Sequence, residues 1–496
     1  MSLLARVLYR PHRSGFEMDR QPTAAAARRG VIRQMRDEMA SRQHDNTREA
    51  VVQALSRTRR RTLDIVAPIS EPGLGEQHSP LMSPIVWDLG HIAEFEDLWL
   101  VERLGDVVRE SALPETFDAM RTPRARRGEL DLPGRAAILA RLDDVRRSTL
   151  ETLSRVDLDR SDNRLLAGGF VYELVRQHEA QHQETILQTI SLMASEPYVP
   201  LARRQFGSPG PVEVGAMIEV PAGSFEMGAP AGSFAYDNEL PRHDTGTDAF
   251  DIGRFPVTNG EYIEFMAAGG YDDPKLWTDA GRHWKEKAGL AAPKYWRPKG
   301  LSGPFSSTDA AEVARTGGTS EWERITSLGA EPVSEHDPVI HVCQFEAEAY
   351  TRFAGGRLPT ETEWEKAAAW DPDTGETLRY PWGGRPPSDD LANLDAAAFG
   401  VAPVGALPAG RSPVGCEQML GDTWEWTSSR FTGYPGFAAY PYDEYSAVFF
   451  GDEYVVLRGG SWATDSGVAR NTFRNWDYPI RRQIFAGFRL ARARAR

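Results

Sequence analysis

VRQHEAQHQETI, residues 175–186, decides how the first half of this 496-residue chain is read. His178 and His182 are four residues apart, so on a helix they stack on one face. Leu174 and Ile186 continue the same stripe and turn both imidazoles toward an apolar interior. Two hydrogen-bonded core histidines are the plainer reading, and a metal-binding pair is the sharper one. Glu184 completes an HxxxHxE string, but it lies six residues after His178, about 240° around the helix, and cannot share that face. A third ligand is better sought on a facing helix, where His91 in VWDLGHIAEFE, residues 86–96, is the candidate. Three neutral imidazoles suit Zn, Fe and Cu alike, so the donor set does not name its metal.

Working outward, residues 46–200 read as a four-helix bundle. The first helix is expected from Thr47 to Ile69. The second runs to Leu104, with Ser83 as N-cap and Pro84 at its first position. The third spans Gly134 to Val156, with Ile138, Leu142 and Val145 on one face and the charges on the other, and the fourth spans Phe170 to Ala194. Beyond Pro200 the texture turns to Gly, Pro and Trp, with short alternating runs such as MIEVPAGSFEMG and YVVLRGGSW. Helices are expected there only at Phe345–Ala354 and Thr360–Ala369, so residues 201–496 read as an irregular α+β domain. Trp364, Trp424, Trp426 and Trp462 serve as its core anchors. Residues 1–45, Arg-rich and without apolar periodicity, read as a disordered extension.

Composition limits the function. A net charge of −14 disfavours nucleic acid and anionic membranes as partners, leaving small molecules. Only Cys343 and Cys416 occur, which excludes a disulfide framework or a Cys-rich zinc site and makes the reducing cytoplasm the default. No apolar run approaches the roughly 18 residues of a membrane span, and Arg6 interrupts any signal-peptide core.

Taken together, LMSPIVWDLGHIAEFEDLWL (81–100), RQHEAQHQETI (176–186), GRLPTETEWEKA (356–367), QMLGDTWEWTSS (418–429), VLRGGSW (456–462) and FRNWDYPIRRQIFAGFRLA (473–491) resemble the ergothioneine-biosynthesis sulfoxide synthases, or hercynine oxygenases. The resemblance spans about Asn46 to Ala491. It implies a DinB-like four-helix bundle fused to a C-type-lectin-like domain of the formylglycine-generating-enzyme type. It further implies Fe(II) on His91, His178 and His182, and an O₂-dependent oxidoreductase. The reaction would couple hercynine, the betaine of histidine, to γ-glutamylcysteine or cysteine as a sulfoxide.

By the same resemblance, Gln181, Asn475 and Trp476 would bind hercynine, suiting a quaternary ammonium that needs aromatic faces. Arg124 and Arg127 in TPRARRGEL (122–130), with Asp477 and Arg481, would hold the thiol substrate through guanidinium forks. A tyrosine that donates a proton and steers oxidation toward carbon–sulfur bonding falls on Tyr442 in YPYDEYS (440–446), with Tyr445 and Tyr440 as the next choices. The paired copper-binding cysteines of formylglycine-generating enzymes have no counterpart. Two rivals predict different behaviour: a DinB-type metal-dependent thiol transferase would consume no oxygen, and a non-catalytic lectin-like binding protein would keep its ligand affinity without metal.

Overall fold

The computed structural model describes residues 47–104, 115–158, 160, 162–193, 197–207, 212–301 and 303–494. The expected N-terminal extension, 1–45, lies outside the described residues. Residues 51–496 form one body. Its first helix, α1, covers residues 51–66 there. A one-turn helix α2 (Glu71–Gly75) follows, capped by the Ser70 side chain. Then come α3 (Ile85–Glu96), α4 (Arg135–Arg155) and α5 (Phe170–Ile190). Helix α3 lies against both α4 and α5.

Ser83 does not cap α3. Pro84 holds the cap position in an extended conformation without a side-chain bond, and the Ser83 hydroxyl instead accepts from Arg127. The helix also changes pitch: Asp97–Glu102 continues it as a π-helical turn. Nearly every residue of α3 is buried, including Asp88, Glu94 and Glu96. Buried carboxylates need partners, and arginines supply them. Arg59 and Arg146 both grip Glu96, and Arg141 bridges Glu94 and Asp97. The α4 face carrying Ile138, Leu142 and Val145 is buried as its spacing predicts.

The second part begins with β1 (Met217–Val220), β2 (Gly223–Met227), β3 (His243–Thr247) and β4 (Phe250–Gly253). Three helices follow that the Gly- and Trp-rich texture concealed: α6 (Asn259–Ala267), α7 (Asp279–Ala288) and α8 (Ser307–Gly317). Each starts at a side-chain cap, on Thr258, Thr278 and Ser306 respectively. Strand β5 (Trp296–Pro298) precedes α8, and β6 (Trp322–Thr326) and β7 (Gly329–Pro332) follow it. Helices α9 (Gln344–Phe353) and α10 (Glu361–Ala369) lie where the sequence places them. The chain closes with β8 (Trp424–Arg430), β9 (Val455–Arg458), β10 (Asn475–Asp477), β11 (Ala486–Gly487) and β12 (Ala491–Ala493).

The sheets are small. Their orders are β1-β4-β12, β10-β9-β8-β11, β2-β3 and β5-β6-β7. In the four-stranded sheet β10 is an edge strand, its Asn475, Trp476 and Asp477 paired with Leu457, Val456 and Val455 of β9. Buried aromatics fill the rest, and Trp364, Trp424, Trp426 and Trp462 are all in the core. The apolar clusters ignore the boundary between the two parts. One joins Leu55, Trp99 and Leu174 to Tyr236, Trp426 and Phe473, and another joins Trp87 and Leu187 to Ile340, Trp462 and Phe485. Among the described residues no helix is long and apolar enough to cross a membrane.

Candidate metal centre and adjoining cavity

His178 and His182 project from α5 toward His91 on α3, and the ligand atoms of the three rings lie within 4.8 Å of one another. Their orientations are fixed from behind. His91 Nδ1 is 2.8 Å from the Phe117 carbonyl oxygen. A carbonyl only accepts, so the proton sits on Nδ1 and the Nε2 lone pair faces inward. His182 Nδ1 stands 3.1 Å from the Asp88 carboxylate, which sets the same tautomer. Flat neighbours hold the planes: Trp87 stacks on His91 at 5.1 Å, and Phe95 on His178 at 3.7 Å.

Burial, reinforced by His182, depresses His91 to about 3 and His178 well below the ordinary imidazole value. Both rings are therefore neutral at physiological pH, the form in which imidazole ligates. His91 Nε2 and His178 Nε2 are 3.2 Å apart. Two nitrogens each ~2.1 Å from one ion, at 90–109° to each other, would stand roughly 3.0–3.4 Å apart. The donors present thus fit one transition-metal ion with positions left open.

Beside this cluster lies a cavity of about 420 Å³. The histidines do not line it. Its wall on α5 is the adjacent face, with Gln181, Thr185 and Gln188, and the opposite wall is the β10 edge and its continuation. Among the residues expected to touch substrates, Arg124, Gln181, Asn475, Trp476, Asp477 and Arg481 all line it. Arg481 Nε donates to Asp477 at 3.0 Å. Trp476 lies flat on Phe431 at 4.0 Å, with Tyr445 edge-on to it at 5.9 Å and Phe449 tilted against it at 5.6 Å.

Two expected residues are placed differently. Arg127 does not line the cavity: its guanidinium lies 3.4 Å over the Trp87 ring and donates to Ser83 Oγ and to the carbonyls of Thr122 and Ala119. Its fork is spent on holding the loop to α3. Tyr442 packs edge-on against Phe95 and beside Trp99, one layer behind His178. Tyr445 lines the cavity instead, its ring stacked on Tyr236 at 4.1 Å, and Tyr236 accepts from Gln181. Burial raises both Tyr442 and Tyr445 well above the usual phenol value, so both keep their protons.

Sequence reasoning missed Asp88, Trp87 and Phe95 as supports of the histidines. Asp88 sits three residues before His91, on a neighbouring part of the same helical face, and that spacing was the available signal. It also left Glu184 without a task. Glu184 faces away from the histidines and accepts from Trp424 Nε1, Ser461 Oγ and Thr464 Oγ1, bolting α5 to the second part of the chain. Cys343 and Cys416 are fully buried and their thiols are pushed up by burial, so neither offers a reactive thiolate.

Comparison with known proteins agrees with this architecture. The DinB superfamily matches residues 54–186, and the sulfatase-modifying factor enzyme 1-like domain matches residues 205–494. The formylglycine-generating enzyme of Mycobacterium tuberculosis is 32% identical over 43% of this chain and 74% of its own. The hercynine oxygenase of Mycolicibacterium smegmatis is 43% identical, over 90% of this chain and 99% of its own length. That of Mycolicibacterium thermoresistibile is 44% identical, over 90% of this chain and 95% of its own. With both domains matched in this order and likeness running the length of such relatives, the chain belongs to the hercynine oxygenase family, enzymes built as a DinB-like metal-binding bundle joined to a sulfatase-modifying-factor domain.

Proposed function

We propose that this chain is an O₂-dependent sulfoxide synthase of ergothioneine biosynthesis. It joins hercynine to γ-glutamylcysteine or cysteine in the cytoplasm, with Fe(II) held by His91, His178 and His182. The observation that carries the reading is the juxtaposition of three imidazole nitrogens within 4.8 Å of one another with a cavity that carries guanidinium, carboxylate and indole groups on one wall. The balance is thiol plus hercynine plus O₂ giving sulfoxide plus water. One C–H and one S–H bond are lost, a C–S and an S–O bond form, and O₂ takes up four electrons.

Ferrous iron would supply the site where thiolate, hercynine and O₂ meet. The chain does the rest. Asp88 and the Phe117 carbonyl keep the ligand tautomers, while Trp87 and Phe95 keep the rings in place. Arg124 and Arg481 form the cationic end of the cavity and would receive substrate carboxylates, with Asp477 facing an ammonium. Trp476, Asn475 and Gln181 would receive hercynine, the indole face suiting its trimethylammonium. Arg127 lies on Trp87, the ring that backs His91, rather than touching substrate. The proton donor belongs to the Tyr442–Tyr445 pair, and its place in the cavity lining favours Tyr445. The thiol preference follows from the cationic end, which suits the extra carboxylate of γ-glutamylcysteine.

The test is anaerobic loading with Fe(II), then air, hercynine and each thiol, with oxygen uptake and product mass recorded. The expected product outweighs its two substrates by one oxygen less two hydrogens and is absent with His178→Ala. No oxygen uptake with either thiol overturns the proposal. Tyr445→Phe is expected to divert product toward the thiol's sulfinic acid and Tyr442→Phe to do so less; the reverse order returns the role to Tyr442.

A further inference from the structure

Away from the histidines, a second and much smaller cavity lies where the end of α5 meets the β5-β6-β7 sheet. It encloses about 30 Å³. At ~10–15 Å³ per water-sized particle, that is room for roughly two. Its walls include Tyr295, Trp296, Arg324, Phe399, Trp462 and Phe485. Three polar atoms of these walls are buried without a hydrogen-bond partner: Tyr295 Oη, Arg324 Nε and Trp462 Nε1. Trp462 is only 5% exposed. An indole N–H and a guanidinium N–H can only donate, and a phenol can donate as well. Each such orphan is costly in a buried place unless something accepts from it.

The charges around the cavity point the same way. Lys294 is also in the wall, its ammonium 4.9 Å from the centre of the Tyr295 ring. Arg324 stands 3.7 Å from Glu331 and 3.8 Å from Asp337, beyond hydrogen-bond reach of either. Glu331 is itself paired with Arg203 at 3.0 Å. His341, in the same wall, turns Nδ1 toward the Arg482 carbonyl and contributes no charge. Burial, together with the neighbouring Arg324 and Lys294, lowers its pKa to about 3 against the pull of its backbone hydrogen bonds. The helix end contributes Ser191, whose hydroxyl is already spent on the Leu187 carbonyl. Two wall residues, Tyr295 and His341, hold left-handed backbone conformations at φ 73° and 65°. Side chains with a Cβ adopt these only when the surroundings enforce them.

We propose that this cavity is a binding site for one small monovalent anion, of halide or formate size, accepting from Trp462, Arg324 and Tyr295. Such an ion satisfies three donors at once and fits the available volume, which excludes either substrate of the proposed reaction. It would tie the loop that carries Trp462 to the β5-β6-β7 sheet, beside the end of α5, without touching the chemistry.

The direct test is to crystallise the full-length protein and soak it in sodium bromide. An anomalous peak in hydrogen-bond contact with Trp462 Nε1 and Arg324 Nε is the expected result. A cavity holding only water under those conditions overturns the proposal. In solution, replacing chloride by gluconate at constant ionic strength is expected to lower the Tm of the wild type by a few degrees and to leave that of Trp462→Phe unchanged. Equal melting of the wild type in both salts overturns it too, as does a Trp462→Phe variant that melts cooperatively and keeps the full chloride dependence.

Discussion

Two arginines three positions apart illustrate how far a residue's type can mislead about its task. Arg124 lines the large cavity and Arg127 lies on Trp87. Arg124→Ala is expected to raise KM for the thiol several-fold while changing stability by less than about 0.5 kcal/mol. Arg127→Ala is expected to cost about 2–3 kcal/mol, from its charged hydrogen bonds and its indole contact, read as a fall in denaturant midpoint. Equal KM effects from the two would contradict this division. Asp88→Asn should weaken metal retention roughly 10–100-fold, because His182 loses the carboxylate charge behind its Nδ1–H and an amide can equally turn its NH2 to that nitrogen; a chelator competition run with Zn(II) or Fe(II) reads this independently of turnover. The juxtaposition of the three histidines was legible because helical periodicity puts His178 and His182 on one stripe and leaves Glu184 off it. Arg127 was not, because a charge in a sequence does not reveal what its side chain lies upon.

At the scale of elements, α3 departs most from its pattern. Glu94, Glu96 and Asp97 are buried and held by arginines of α1 and α4. Burial pushes Glu96 up, but Arg59 and Arg146 together hold it below the ordinary carboxylate value. A depressed carboxylate stabilises the fold at pH above its unfolded value, about 4.5, and loses that contribution as pH falls through the folded one. Glu96→Gln should therefore lower stability at pH 7 by about 3–5 kcal/mol, leaving two cations short of a partner, and should flatten the loss of stability below pH ~4.5. Urea midpoints between pH 7 and 3 for both proteins check this, and parallel curves would refute it. A hydropathy pattern cannot separate a paired interior charge from a solvated one. It also hid α6, α7 and α8, helices of only 9, 10 and 11 residues, although two capping boxes, Thr258 with Glu261 and Ser306 with Asp309, were written in the sequence.

For the whole molecule, the change in texture near Pro200 marks a passage from helical to mixed patterning, and the fold class was legible from that. The shared interior was not, because a single cluster gathers residues as far apart in the chain as Trp87 and Phe485. From Val51 onward the two parts should melt in one transition, and residues 47–200 expressed alone should lack cooperative unfolding, as followed by calorimetry and near-ultraviolet dichroism. Two well-separated transitions would contradict a common core. Glu184 draws a further line. Its carboxylate accepts from Trp424, Ser461 and Thr464, residues contributed by the other part of the chain more than two hundred positions away. A chimaera that takes its bundle from one relative and its second part from another will keep α5 seated only where all four residues come across together. The unit of inheritance in this enzyme is therefore the joint itself, and recombination at the visible domain boundary is constrained by a carboxylate just before it whose partners lie far beyond it in the sequence.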